Sequence, residues 1–139
     1  MEVNNQIKLK FHGVDFPIIN LNSTNPKDRE DLQIDINIIP KVFYPENFPN
    51  EFKIVQEIKL TSENYFDLFI VGIGSFELIG EIKDELRKNF VNLNAPAIMF
   101  PYLRSFISTL SSNLGQTTGT LTIPPQFFKG ELEVIDELY

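Results

Sequence analysis

Residues 95–115 read as one long, two-faced helix, and a helix of this kind needs a broad apolar surface to lie on. Leu103, Phe106, Ile107, Leu110 and Leu114 recur at the i, i+3, i+4, i+7, i+11 spacing that makes a single stripe on a 3.6-residue period. That stripe faces a core. Pro96 and Pro101 fall near the start, where first-turn amides lack intrahelical partners, and Gly115 supplies the stop. The opposite side carries Ser105, Ser108, Thr109, Ser111, Ser112 and Asn113 where a solvated helix ordinarily carries Lys, Glu and Arg. Small side chains let a second backbone come close, so this side reads either as a plain polar surface or as a helix-to-helix subunit contact.

Upstream, the apolar period falls from 3.6 to 2. Residues 7–21 alternate Ile7, Leu9 and Phe11, then change phase around Gly13 to Val14, Phe16 and Ile18, as a bulge or bend at Gly13 would produce. Residues 20–31 are polar and too long for a tight hairpin, which predicts a crossing loop. In residues 32–38, Leu32, Ile34, Ile36 and Ile38 alternate with Gln33, Asp35 and Asn37, the pattern of a strand with one wet face. Residues 40–50 place Pro40, Pro45 and Pro49 among Phe43, Tyr44 and Phe48, which predicts a stiff loop or edge. Its aromatics either fold back to cap the sheet edge or offer an apolar surface to other polypeptides.

Residues 51–61 and 65–78 read as the third and fourth strands, an antiparallel hairpin across Ser62-Glu63-Asn64. Tyr65, Phe66, Leu68, Phe69, Ile70, Val71 and Ile73 leave the fourth strand almost no polar face, so both of its sides are covered, one by the chain's helices and the other by a second subunit or a loop. Gly72, Gly74 and Gly80 lack the spacing, following helix and lysine of a phosphate-binding loop and read as bulge and turn positions. Residues 81–90 predict a modest charged helix with Ile82, Leu86 and Phe90 on one side. Beyond the main helix, Leu121 and Ile123 are extended, and Phe127, Phe128, Leu132, Ile135 and Leu138 mark a C-terminal amphipathic helix weakened by Gly130. Strands followed by helices predict an α+β fold. The expectation is a single domain, residues 1–139, with a four-stranded antiparallel sheet backed by the long helix and the C-terminal helix.

Composition narrows the function. With 42% apolar residues and 13 Phe, the chain can build a core that buries about two-thirds of its unfolded surface. Twelve Lys and Arg against 19 Asp and Glu leave a charge of −7 without a basic patch, which opposes nucleic-acid binding and favours basic protein partners. No run approaches the ~18 apolar residues of a membrane span, and the first residues lack the pattern of a secretory signal, so a cytoplasmic protein without direct membrane insertion is expected. The absence of cysteine removes disulfides, thiolate nucleophiles and Cys-built metal sites. The lone His12 reads as structural. The adjacent acidic pairs Glu30-Asp31, Asp84-Glu85 and Asp136-Glu137 read as solvated, and no serine has the setting of an activated nucleophile. No catalytic residue, metal or cofactor is expected.

One resemblance is specific. Pro96, Phe100-Pro101-Tyr102, Arg104, Leu110 and Gly115, followed by Leu121-Thr122-Ile123-Pro124-Pro125-Gln126-Phe127, resemble the SecB family of protein-export chaperones. That family's helix carries Pro, then Leu-Phe-Pro-Tyr-Ala-Arg, then Gly and a Leu-x-Leu-x-Pro-x-x-Phe run. The resemblance implies a homotetramer, a dimer of dimers, that binds unfolded precursor proteins in hydrophobic grooves without ATP and passes them to the SecA motor. For this chain it implies a groove lined by Phe16, Ile18, Phe43, Tyr44, Phe48, Phe76, Phe127 and Phe128. Subunit contacts would use Ser105, Ser108, Thr109 and Ser112 of the helix with Phe69 and Val71 of the fourth strand. Phe69 stands where the family has an acidic residue that docks SecA, and only Asp15 matches another docking acid, so SecA binding is less secure than the chaperone-like structure. A SecB-like chaperone of another partner, such as an antitoxin, is the alternative within the fold. A small-ligand-binding or enzymatic domain is the alternative outside that class, and the missing polar constellation argues against it. Sedimentation velocity at micromolar concentration should show a tetramer; a strict monomer would remove the argument from both the hydroxyl-rich helix side and the fourth strand.

Overall fold

The computed structural model describes residues 8–23, 33–63, 65–115, 119–126 and 128–139. The alternating segments become β1 (Leu9–Ser23), β2 (Asp35–Phe43), β3 (Glu51–Ser62) and β4 (Phe66–Leu78), and a short β5 (Glu133–Ile135) joins them in the order β1-β4-β3-β2-β5. The first four pair antiparallel, while β5 runs parallel to β2. The sheet is therefore five-stranded and mixed, and the expected four-stranded antiparallel sheet is corrected.

The expected C-terminal helix is corrected with it. Gly130 sits at φ 84, a left-handed conformation that interrupts a helix, and β-branched Val134 and Ile135 instead extend along the outer edge of β2. Two readings upstream also change. β2 continues through Pro40 to Phe43, where a loop or edge was expected, because a strand with a partly open outer edge tolerates proline. In β1 the register shifts at Gly13, φ 108, as its phase change predicts, and shifts again between Asp15 and Ile18, where Pro17 has no amide to give the ladder.

The helical layer is one uninterrupted run, not a modest helix followed by a long one. It comprises α1 (Asp84–Asn89), a π-helical turn (Phe90–Asn94) and α2 (Ala95–Ser112). Pro96 explains the π turn. A proline ring clashes with the carbonyl four residues earlier, and the wider turn, in which the Ala95 amide bonds Phe90 O, opens the spiral just before it. The run ends as Asn113 and Leu114 amides bond Leu110 and Ser111 carbonyls, ahead of Gly115 at φ 102.

The core lies between this helical run and one sheet face. Phe52, Ile54, Ile58 and Leu60 of β3 and Leu68 and Ile70 of β4 meet Val91, Ala95, Met99, Leu103 and Ile107. Gln56, fully buried in the same β3 row, donates from Nε2 to Pro96 O at 3.2 Å and ties β3 to the first turn of α2. Gly72 and Gly74, expected at bulge or turn positions, pair regularly with Gln56 and Ile54 of β3, while on the β1 side Gly72 falls at the register shift between Asp15 and Ile18. Their role is clearance. A Cβ on Gly72 would overlap Leu103 Cδ2, and one on Gly74 would lie 3.0 Å from Met99 Sδ. Of the three, Gly80, at φ 79, is the turn glycine. The opposite face of β4 is covered by the chain itself, where Val55, Val71 and Ile73 pack with Ile18, Phe69, Ile135 and Leu138.

Gly72→Ala should destabilise the protein by roughly 1–3 kcal/mol of overpacking, opposed by the ~0.4–1 kcal/mol that a glycine replacement contributes through the unfolded chain. Gly74→Ala should be milder, because the Met99 thioether can swing away. In denaturant unfolding, Gly72→Ala combined with Leu103→Ala should lose less than the sum of the two single changes. Strict additivity would show that Leu103 does not limit the approach of α2.

Candidate functional site

Arg104, one of the residues that carry the resemblance, and the hydroxyl-bearing side of α2 hold an extended segment against the helix. Arg104 Nε donates to Ile123 O at 2.7 Å, Ser108 Oγ donates to Leu121 O at 3.0 Å, and the Leu121 amide donates to Ser111 Oγ at 2.8 Å. Ser112 and Thr120 hydroxyls meet at 3.0 Å. Short hydroxylated side chains are suited to this work because they place an oxygen close to the helix surface and let the neighbouring backbone come within bonding distance. Phe100 is buried and meets Phe128 edge-on at 5.7 Å, and Tyr102 leans on Phe11 at 5.0 Å. Of the side chains expected at a subunit contact, Ser108 and Ser112 therefore have partners within the chain, Ser105 and Thr109 are exposed, Phe69 is half-buried and Val71 is buried.

The segment so held, with the stretch that follows it, forms one wall of a groove. Its other wall is the row of β2 that faces the helical layer. α2 lies over β1, β3 and β4, and the row that starts just before β2 and continues along it is only partly covered: Ile34 is 37% and Ile36 39% exposed. Ile34, Ile36 and Leu60 face Leu121 and Ile123 across a cavity of about 140 Å³. Next along the same row, Ile38 and Pro40 face Gln126, Phe128 and Leu132 across a cavity of about 190 Å³. Beside the groove, β5 pairs only with residues 41–43 of β2, so the outer backbone of residues 35–40 meets no strand among the described residues. Alternate side-chain pockets beside a strand edge of this kind suit an extended polypeptide.

Of the expected groove residues that the structure describes, Phe128 lies on this surface and the others lie elsewhere. Phe76 is in the core, stacked on Phe52 at 5.4 Å, and Phe16 stacks on Phe106 at 4.0 Å where β1 meets α2. Ile18 belongs to the apolar patch on the opposite sheet face, and Phe43 lies opposite Ile135 at the β2–β5 border. Tyr44 and Phe48 are 44% and 55% exposed in the connection between β2 and β3, and burial raises the Tyr44 hydroxyl pKa, opposed by Arg87. Phe128 lines the second cavity, while Phe127 lies outside the described residues. Ile34, Ile36, Leu60, Leu121 and Ile123 escaped notice as groove residues. Their alternation marks an apolar strand face without showing what covers it.

Polar groups elsewhere are ordinary. His12 Nε2 lies 3.1 Å from Glu77 Oε2 on the surface, the arrangement of a structural histidine. Lys41 Nζ donates to Glu57 Oε1 at 2.8 Å, and that bond raises the Lys41 pKa above the usual lysine value despite partial burial, with Glu133 adding to it. Among the described residues no group of three or more His, Cys, Asp or Glu is placed to hold a metal ion, and no helix is long and apolar enough to cross a membrane.

No protein-family model matches the chain. An uncharacterized protein of Methanocaldococcus jannaschii is 33% identical over 125 residues, covering 85% of this chain and 77% of that one. The protein-export protein SecB of two Orientia tsutsugamushi strains, Boryong and Ikeda, is 31% identical over 100 residues and 72% of this chain, which spans 61% and 59% of their lengths. Among solved structures, the Mycobacterium tuberculosis SecB-like chaperone Rv1957, in complex with a ChAD peptide from the HigA1 antitoxin, has the same fold. Its TM-score is 0.67 at 17% identity, covering 84% of this chain and 91% of that one. The SecB relatives reach by sequence the family that Phe100-Pro101-Tyr102 and Arg104 point to, and the solved structure shares the fold: the chain belongs to the SecB-like family.

Proposed function

We propose that this chain is an ATP-independent holdase that binds extended apolar segments of non-native precursor proteins in the groove beside β2 and keeps them unfolded for export through the Sec pathway. The observation that carries the reading is the succession of two apolar cavities along Ile34, Ile36, Ile38 and Pro40 next to a strand edge that meets no other strand among the described residues. A folded protein has already satisfied its backbone and buried its apolar side chains, so only a non-native chain offers both to such a groove. Apolar burial tolerates many sequences, as a holdase requires, and needs no nucleotide. The charge of −7 attracts basic segments at long range. In this reading the protein works as a cytoplasmic homotetramer, a dimer of dimers, assembled through the exposed Ser105 and Thr109 side of α2, and hands its clients to SecA. The SecB relatives support the export role.

A second reading is favoured by the complex of the fold neighbour with an antitoxin peptide. The same groove would then serve one dedicated segment, such as that of an antitoxin. A panel of unrelated unfolded chains separates the two. Similar affinities across the panel support general holding, and a single strong binder supports the dedicated partner.

Fluorescence anisotropy with a reduced, carboxymethylated protein that cannot refold should show binding without nucleotide, none to the folded form, and little weakening at ~1 M salt, where exposed charges are screened and apolar contacts persist. Ile34→Asp with Ile36→Asp should weaken capture about tenfold, since each partly exposed isoleucine can still bury roughly 0.5–1 kcal/mol of apolar surface. Melting should fall somewhat, because both side chains are partly covered, so capture is compared well below the melting transition of the variant. Equal binding of folded and unfolded forms would overturn the holdase reading.

A further inference from the structure

Val55, Val71 and Ile73 form an apolar patch on the sheet face opposite α2, and Ile135 and Leu138 of the C-terminal segment cover it. The cover is lightly attached. β5 pairs with β2 only from Lys41↔Glu133 to Phe43↔Ile135, and Val134 is 59% exposed. A bond from the Leu132 amide to Asn92 Oδ1, at 2.9 Å, anchors the approach to it. Three paired residues at a sheet edge are among the first parts of a fold to open. The surface beneath has a recognisable chemistry: a strand edge at residues 41–43, an apolar patch beside it, and Lys41, bonded to Glu57 and facing Glu133 across the pairing.

We infer that this surface is a second binding site for extended segments of the form Glu-x-Ile-x-x-Leu, which the C-terminal strap fills in cis and a partner segment of the same chemistry fills in trans. The strap is the template for its competitor. Its acid lies beside Lys41, and Ile135 and Leu138 fill the patch. A tethered segment acts at an effective concentration of roughly millimolar, so the intact strap masks the site and its release uncovers the edge and the patch together. The site is separate from the groove beside β2, and it extends the reading of the chain as a binder of extended polypeptide.

The test uses the full chain carrying Ile135→Asp and Leu138→Asp, and a fluorescein-labelled synthetic peptide of residues 131–139 as probe. Anisotropy should show the peptide binding this chain at least tenfold more tightly than the unaltered chain. The peptide with the same two aspartates should bind neither, and adding Lys41→Glu to the released chain should weaken binding several-fold. Equal affinity for released and unaltered chains overturns the inference, as does absence of binding to a released chain that keeps its melting transition. Loss of folding in the released chain also overturns it, because the strap would then be a fixed part of the core. Capture of the carboxymethylated client, measured on the same samples, reports separately on the groove: its loss with peptide binding retained would sink the holdase reading and leave this site standing.

Discussion

How closely α2 can lie on β4 sets the rest of the structure, and two absent side chains determine that distance. At Gly72 and Gly74 the sheet offers bare backbone, which Leu103 and Met99 fill. Large side chains there would lift the helix from the sheet and open the fully buried contacts of Leu103 and Ile107. With the helix centred over β1, β3 and β4, the helix-side row of β2 depends on another cover. The chain supplies it with an extended segment bonded to Arg104, Ser108 and Ser111, and the groove beside β2 is the space this arrangement leaves.

The two faces of the sheet are finished differently. On one, a continuous helical run passes through a π turn just before Pro96 and buries a large core against β3 and β4. On the other, a small patch around Val55 and Val71 is closed by Ile135 of a three-residue strand and by Leu138 just beyond it. A strap of that size stabilises little by itself. Its position over an apolar patch and a strand edge makes it a cover for a surface that would otherwise attract extended chains.

The strands, their hairpin and the main helix were legible because period-two and period-3.6 patterns report local geometry. The phase change at Gly13 located a real register shift. What remained hidden depends on contacts distant in sequence. Leu132, Ile135 and Leu138 recur every third residue, a spacing that suits a helix stripe, and the partly open edge of β2 draws Val134 and Ile135 into a strand. Gly72 and Gly74 carry no mark of the helix that rests on them. The aromatic residues divide: large rings such as Phe76 go to the core and Phe128 lines the second cavity, while Ile34 and Ile36 stay accessible because the cover over them is incomplete.

The central claim, that an extended non-native chain lies between β2 and residues 121–132, can be tested with isoleucine-methyl NMR of the full protein titrated with the carboxymethylated client. The account predicts shifts at the Ile34, Ile36, Ile38 and Ile123 methyl groups, with Ile54, Ile70 and Ile107 in the deep core unmoved. Perturbation confined to Ile98 on the exposed side of α2, with the β2 methyl groups silent, would contradict it.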